Sequence, residues 1–147
     1  MKVVAKEKIQ ARRDDVFVVF TDLEGATKRI EGIKEIEFLS ETRSGLGVRW
    51  RETRVMFGKE ATEDMEITAL DPPDSYVVEA ESHGTHYASV FSFRDADDGA
   101  TEVTWEFEGK PLSLFAKLMT PLGFLMSGSL RKMLQKDLAD LRRSVEA

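Results

Sequence analysis

The sequence predicts an α+β fold in which an antiparallel sheet of about seven strands curves around a long C-terminal helix. Two observations carry this prediction. Apolar and polar residues alternate with period two from residue 33 to residue 107, which is typical of strands with one face on a core and one in solvent. Apolar residues then recur at three- and four-residue intervals from residue 111 to residue 145, which indicates a helix with one buried face.

Length and composition limit the classes of function. At 147 residues the chain is expected to form a single domain over residues 1–147. A formal net charge of -6 argues against nucleic-acid binding, which needs a clustered basic surface. The absence of cysteine excludes disulfides and Cys-ligated metals. Lysines at positions 2, 6 and 8 interrupt the apolar run that a signal peptide requires, so we expect a cytoplasmic location.

The N-terminal part predicts one strand followed by two short helices. Residues 3–11 alternate between apolar and charged side chains, as in a strand exposed on one side. The acidic pair Asp14 and Asp15 precedes the apolar run 16–20 and favours a helix N-terminus there. Asp22 offers a second cap, for a helix over residues 23–30.

Turn signals divide the alternating region into hairpins. They fall at residues 44–47, 58–59, 71–74, 84–85 and 95–99. The alternation assigns one set of residues to the inner face of the sheet, namely Ile36, Phe38, Val48, Trp50, Met56, Ala61, Met65, Ile67, Tyr76, Val78, Ala80, Tyr87, Phe91, Phe93, Val103, Trp105 and Phe107. We therefore expect a sheet with one apolar and one solvated face.

Charge tests the register of the first long hairpin. A two-residue turn at 58–59 places Arg51 opposite Glu66 on the solvated face, where opposite charges meet. The same register places Glu52 beside Met65 and Arg54 beside Glu63 on the inner face. The apolar face is thus predicted to carry three charged groups.

The later hairpins allow the same test. In the last one, pairing Phe91 with Trp105 also pairs Arg94 with Glu102 outside. In the preceding one, a turn at 84–85 sets His83 opposite His86 on the outer face. Only Glu81 is near these two histidines in sequence, so no metal site is predicted.

The helical segment changes character part-way along. Its first apolar set is Phe115, Met119, Leu122, Met126, Leu130 and Met133, and a displaced set follows at Leu134, Leu138, Leu141 and Val145. The displacement falls near residues 127–129, so the helix is expected to bend or restart there, and small residues on its inward face leave empty volume. Lys117 is the only charge between Lys110 and Arg131, but prolines and glycines disfavour a membrane span. Transient contact with a membrane surface remains an alternative.

Several segments resemble a known superfamily. They are Gly47-Val48-Arg49-Trp50-Arg51-Glu52-Thr53, Gly58, Asp71-Pro72-Pro73 and the run from Asp98 to Phe107. With the predicted order of elements, they resemble the START/polyketide cyclase-dehydrase (SRPBCC) superfamily of helix-grip proteins. The resemblance implies binding of lipids, polyketides or other hydrophobic small molecules in a cavity between sheet and helix, and in some members cyclisation or dehydration there. It supplies no universal catalytic motif.

The candidate ligand-binding residues are Trp50, Glu52, Arg54, Glu63, Met65, Tyr76, Tyr87, Phe91, Trp105, Met119 and Met126. In a mostly apolar pocket a few polar groups orient the ligand, so Arg54 is a candidate anchor for a carboxylate or phenolate. The alternative is that Arg54 and Glu63 only pair at the end of the sheet. For the aromatic and methionine residues, the alternative interpretation is that they only fill the hydrophobic core.

Three hypotheses of function follow. The first is a protein that binds or transports a hydrophobic small molecule without a cofactor. The second is an enzyme of cyclase or dehydratase type, with Glu52 or Glu63 as acid or base and Tyr76 or Tyr87 donating a hydrogen bond to an enolate. The third is an interaction module whose cavity is vestigial. No serine-hydrolase triad, phosphate loop or dinucleotide fingerprint is present in the sequence.

Overall fold

The computed structural model describes residues 1–121 and 125–147 with their side chains, and residues 122–124 enter only as part of a helix. Seven strands form one antiparallel sheet in the order β1-β7-β6-β5-β4-β3-β2. The strands are β1 Lys2–Ile9, β2 Ile33–Phe38, β3 Arg49–Met56, β4 Lys59–Asp71, β5 Ser75–Ser82, β6 Thr85–Asp95 and β7 Thr101–Pro111. The helices are α1 Arg13–Thr21, α2 Ala26–Arg29, α3 Leu114–Leu118, α4 Thr120–Leu125 and α5 Ser127–Glu146. The predicted fold class is confirmed.

The two short helices follow β1 as predicted. Asp14 and Asp15 occupy the first turn of α1, and Phe17 and Phe20 are buried beneath it. The predicted cap at Asp22 is wrong, because its side chain makes no capping hydrogen bond. Arg29 Nη1 donates to Asp22 Oδ2 over 2.7 Å instead, and a 3-10 turn precedes α2.

The predicted register of the β3–β4 hairpin is wrong by two positions, although its faces are right. Phe57 and Gly58 form the turn with φ of 53° and 79°, and positive φ at both central residues is the signature of a type I′ turn. Arg51 therefore faces Asp64, and Glu52 faces Glu63. A shift of two preserves the side of each residue, since side chains alternate with period two.

The β5–β6 hairpin repeats this error for the same reason. Its turn is His83-Gly84, with φ of 51° and 75°, so Glu81 rather than His83 lies opposite His86. The last hairpin has no such error. Phe91 faces Trp105 there as predicted, and the pairing of Arg94 with Glu102 is also confirmed.

Helix α5 supplies the surface that covers the sheet. Its buried apolar residues are Leu130, Leu134, Leu138 and Leu141. Its C-terminal end is fixed to β1, because Gln10 N–H donates to Glu146 Oε2 over 2.8 Å. The space between α5 and the inner face of the sheet holds the site described below.

The segment before α5 is not the buried helix face that the spacing predicts. A new helix begins at Ser127 as expected, but Phe115 is 71% exposed and Met119 and Met126 are 42% and 40% exposed. These residues lie in α3, between α3 and α4 and just before α5, rather than in one long helix along the sheet. The side chain of Leu122 lies outside the described residues. Within the described residues, no helix combines the length and apolarity needed to cross a membrane.

Candidate functional site

A cavity of about 310 Å³ lies between the inner face of the sheet and α5. All the predicted ligand-binding residues except Met119 line it, namely Trp50, Glu52, Arg54, Glu63, Met65, Tyr76, Tyr87, Phe91, Trp105 and Met126. The lining also includes residues that the sequence pattern did not single out as ligand-binding, among them Ser89, Leu130 and Asp137. The lining is predominantly apolar, as is usual for small-molecule sites.

Aromatic rings from β5, β6 and β7 form one side of the cavity. Tyr76 stacks on Phe91 with ring centroids 4.6 Å apart, and Phe91 lies 4.7 Å from Trp105. Tyr87 stacks on Phe107 at 5.4 Å. The Nε1 of Trp105 is buried and has no hydrogen-bond partner among the described residues. This side is therefore mainly aromatic, and it carries a buried donor without a partner among the described residues.

Tyr76 is held as part of the core. Its hydroxyl donates to the carbonyl of Phe20 over 3.4 Å, and Phe17 packs edge-on against its ring. Burial raises the pKa of the Tyr76 phenol, because the phenolate would lie out of water. The phenol therefore stays neutral and fastens α1 to the sheet. Tyr87 also lines the cavity and has no such bond to α1.

Charged side chains from β3 and α5 form the other side. Arg54 Nη2 donates to Asp137 Oδ2 over 2.6 Å. Its Nε lies 3.4 Å from Glu52 Oε2, and Glu52 Oε1 accepts from Trp50 Nε1 over 3.3 Å. Arg54 and Glu52 are each 8% exposed and Asp137 is 4% exposed. Buried charges of this kind are stable only when paired, and here each is.

Asp137 is the main site residue that the sequence pattern did not single out. It follows Leu134 by three residues and precedes Leu141 by four, so helical spacing places it on the buried apolar face of α5. A charged residue in an apolar stripe is the same signal that identified Glu52 and Arg54 on β3. Its neighbour Asp140 is also buried, but it accepts hydrogen bonds from Lys136 and the backbone of Glu31, away from the cavity lining.

Burial controls the charge of this cluster. Desolvation raises the pKa of the carboxyls of Glu52, Glu63 and Asp137, although Arg54 acts against it in each case. For Arg54 burial also opposes the charged form. The carboxylates of Asp137 and Glu52 outweigh that effect, so the pKa of Arg54 is raised and it remains a cation.

Glu63 adds a carboxyl that the protein does not satisfy. It faces Glu52 directly across β3 and β4, is half-buried, and makes no hydrogen bond with the described residues. Like charges directly opposite on a sheet repel. A single guanidinium, that of Arg54, thus acts on the three carboxyls of Glu52, Glu63 and Asp137. Burial and the facing carboxyl thus favour the protonated form of this pair over two ionised carboxylates.

The cavity reaches solvent at the end of the sheet that carries the β3–β4 turn. Phe57 in that turn and Met126 just before α5 both line the cavity, and they are 50% and 40% exposed. A side chain that is both part of the lining and exposed marks the rim. The polar cluster lies deeper, where Arg54 and Asp137 are almost completely buried.

The histidines take no part in the cavity. His86 lies on β6 and its Nε2 is 2.8 Å from Glu79 Oε1, while His83 occupies a turn. Across residues 1–121 and 125–147, no three metal-ligating side chains lie close enough together to hold an ion. The charged groups of the site are thus the carboxyls and the guanidinium described above.

Comparisons with known proteins agree with this architecture. A START superfamily protein from Mycobacterium smegmatis matches with a TM-score of 0.77 at 13% identity, covering 99% of this chain and 97% of that one. Ginseng major latex-like protein 151 from Panax ginseng matches with a TM-score of 0.73 at 15% identity, covering 98% of this chain and 96% of that one. A conserved protein from Geobacillus kaustophilus matches with a TM-score of 0.75 at 14% identity, covering 99% of this chain and 95% of that one. Identities this low show the fold alone.

Sequence comparison identifies the family. No curated protein matches the chain. The family described as polyketide cyclase/dehydrase and lipid transport matches residues 1–146. This family and the START-type fold are consistent with a hydrophobic ligand in the cavity. The chain therefore belongs to the polyketide cyclase/dehydrase and lipid transport family.

Proposed function

We propose that the protein binds and carries a hydrophobic small molecule in the cavity between the sheet and α5. The observation that carries this proposal is the cavity itself, about 310 Å³ with a mainly apolar lining. Packed interiors rarely leave voids larger than a water molecule, and a volume near 300 Å³ is in the range of small-molecule sites. The family description, which includes lipid transport, supports the same class of ligand.

The charged cluster limits which polar group a bound ligand can carry. The guanidinium of Arg54 already contacts Glu52 and Asp137, so it is not free to anchor a ligand carboxylate, the role for which its position on the inner face makes it a candidate. Among the carboxyls of this cluster, the one left without a hydrogen-bond partner is Glu63, an acceptor. An anionic ligand would add a further negative charge to a cluster in which carboxyls already outnumber the guanidinium. The cavity therefore favours a ligand whose polar end is a hydroxyl or an amine.

Native mass spectrometry of the purified protein tests for a bound ligand directly. Displacement of the neutral fluorescent dye Nile red then tests the polar group, with dodecanol, dodecylamine and dodecanoic acid as competitors of equal chain length. We expect the alcohol and the amine to displace the dye at lower concentration than the acid. Tightest binding of the acid would show that Arg54 leaves its partners to hold an anion. Failure of the dye and of all three competitors to bind would remove the support for a carrier.

A matched pair of variants locates the preference. Glu63→Gln removes the unpaired carboxylate from the inner face, whereas Glu60→Gln makes the same change on an exposed position of the same strand. The preference for the amine over the acid should shrink about tenfold in the first variant, one charge contact being worth about 1–2 kcal/mol there. It should be unchanged in the second. Equal effects in the two variants would place the preference outside the cavity.

The pair of Glu52 and Glu63 also favours a second candidate, an enzyme of cyclase or dehydratase type. Two facing carboxyls with raised pKa can donate and accept a proton in one site. The test is conversion of a β-polyketone substrate, followed by mass spectrometry of cyclised or dehydrated product. Activity that is lost in Glu52→Gln and kept in Glu60→Gln would support the enzyme, and no product with the unmodified protein would exclude it for this substrate class.

A further inference from the structure

We propose that residues 112–121 and 125–126 dock on the surface of an anionic lipid membrane. This segment, called the apolar end surface, runs from the end of β7 through α3 and α4 to the start of α5. It contains large apolar side chains that are between 40% and 82% exposed, namely Leu112, Leu114, Phe115, Leu118, Met119, Leu125 and Met126. Scattered exposed apolar residues are ordinary, but such a concentration in one segment marks an interaction site.

The charged residues within this segment and next to it in sequence are of one sign. Between residues 109 and 136 every charged residue is basic, namely Lys110, Lys117, Arg131, Lys132 and Lys136, although the whole chain carries 27 acidic and 21 basic residues. Lys136 pairs with Glu31 and Asp140. The other four have no ion pair with any residue that the structure describes, so they are available to an external anion. Apolar side chains with basic flanks are the composition of segments that lie at membrane interfaces.

The apolar end surface is held at one end of the sheet. The carbonyl of Gly84 accepts hydrogen bonds from the N–H groups of Leu112 and Ser113, at 2.7 and 3.3 Å, which fixes the start of α3 beside the β5–β6 turn. The β3–β4 turn lies at the same end, because the strands alternate in direction. Phe57 and Met126, on the rim of the cavity, therefore lie at this end too. Docking would bring the cavity opening towards the bilayer.

Charge complementarity selects a membrane over a second copy of the chain. A symmetric dimer would pack this surface on itself and bring its unpaired cations together, which is unfavourable. An anionic bilayer presents phosphate groups to the cations and a less polar region to the exposed leucines. Since no described helix is long and apolar enough to span a bilayer, the contact is one of surface docking.

Vesicle co-sedimentation tests this proposal. Vesicles of equal parts phosphatidylglycerol and phosphatidylcholine should bind the protein at least about tenfold more strongly than vesicles of phosphatidylcholine alone, since each basic residue near an anionic surface adds to binding. The binding should weaken as salt concentration rises. Neither measurement requires knowledge of the molecule in the cavity.

Matched variants locate the contact. Leu114→Ser with Leu118→Ser removes two side chains that are 76% and 70% exposed, and the control Val18→Ser with Leu46→Ser removes two that are 65% and 63% exposed elsewhere. The first double variant should bind the anionic vesicles about tenfold more weakly, because apolar insertion is lost. The control should bind like the unmodified protein. All four side chains are exposed, and thermal melts check that both variants fold.

A second pair isolates the charge. Lys117→Glu should weaken binding about tenfold, whereas Lys28→Glu, an equal change of net charge on exposed α2, should not. The proposal is overturned if the unmodified protein ignores anionic vesicles at low salt, or if both double variants bind alike. Self-association that depends on Leu114 and Leu118, without vesicle binding, would show that a second copy covers the surface instead.

Discussion

Arg54 of β3 donates a hydrogen bond to Asp137 of α5 over 2.6 Å, which joins the sheet to the C-terminal helix inside the cavity. The two residues are 83 positions apart in sequence, and both are less than a tenth exposed. Burying such a pair costs desolvation energy and gains Coulombic energy. Replacing both residues therefore changes the free energy of unfolding differently from replacing one of them. The other two carboxyls that line the cavity are those of Glu52 and Glu63.

The first prediction uses this asymmetry. Arg54→Met and Asp137→Leu should each lower the free energy of unfolding by about 3–5 kcal/mol, because each leaves a buried charge without its partner. The double variant should recover part of the loss, since apolar residues of similar size pack in place of the pair, although Glu52 still loses its contact with Arg54. Urea unfolding of the four proteins measures the coupling.

An exposed pair provides the control for this cycle. Arg51 donates to Asp64 on the outer face over 2.8 Å, and both side chains are nearly half exposed. Arg51→Ala should therefore lose only a small fraction of what Arg54→Met loses, since water and salt screen exposed pairs. If Arg54→Met proves as mild as Arg51→Ala, the buried cluster is hydrated and does not join the sheet to α5.

The second prediction concerns pH. The folded pKa of Glu52 is raised above its ordinary value of 4.5, mainly by desolvation. Its contribution to stability is fully present below pH 4.5 and is lost as pH rises through the raised pKa, because the folded state then binds more protons than the unfolded state. Relative to the unmodified protein, Glu52→Gln should thus gain stability between pH 4.5 and neutrality. Unfolding free energies at a series of pH values measure this difference, and a constant difference across that range would show that Glu52 is ionised throughout.

Other carboxyls change the free energy of unfolding with pH in the opposite direction. The effect of Glu52 is therefore measured as the difference between the unmodified protein and the variant, and not from the pH curve of one protein. The hydrogen bond from Arg51 lowers the pKa of Asp64 below 3.8, and the bond from Thr68 lowers that of Glu79. These groups stabilise the fold above their ordinary pKa, and the effect is lost as pH falls through the lowered values. Their contribution cancels when the unmodified protein is compared with Glu52→Gln.

The inner face of the sheet could be predicted from sequence because it depends only on period-two alternation. Trp50, Glu52 and Arg54 lie inside whether the hairpin turn is at 57–58 or 58–59, since a register error of two keeps every side. The exact partners depend on turn type. A type I′ turn puts glycine second, and the prediction put it first in two hairpins.

The third prediction tests these turns. Gly84 has φ of +75°, and a Cβ there would lie 2.5 Å from Ser113 Oγ, so Gly84→Ala should lose at least about 1 kcal/mol of stability. His83 has φ of 51°, a region that asparagine tolerates better, so His83→Asn should gain roughly 0.5 kcal/mol. Urea unfolding measures both. A harmless Gly84→Ala would show that residue 84 does not adopt the positive φ of this turn.

The cavity itself was harder to predict than the sheet. Helical spacing shows which residues share a face, but not whether another element covers that face. Phe115 and Met119 share the predicted apolar stripe and are nevertheless exposed, because the segment folds as short separate helices before α5. Asp137 was missed although it lies within the stripe of α5, since its partner Arg54 is distant in sequence and only the folded chain brings them together.

The last prediction separates the cavity from the helix that precedes it. The sequence predicts empty volume beside the small residues at 127–129, but Gly128 is exposed, a Cβ added to it would have no heavy atom within 4 Å, and it is absent from the cavity lining. Ser89 on β6 does line the cavity and is small. Ser89→Leu should therefore fill part of the volume and weaken Nile red binding about tenfold, because a ligand pocket depends on its free space. Gly128→Leu adds a leucine outside the cavity and should leave the affinity unchanged. Fluorescence titration measures the affinity of both variants for the dye, and thermal melts confirm that they fold. A loss of affinity in Gly128→Leu alone would place the dye on the exposed end of the molecule, and the cavity would then not be the binding site.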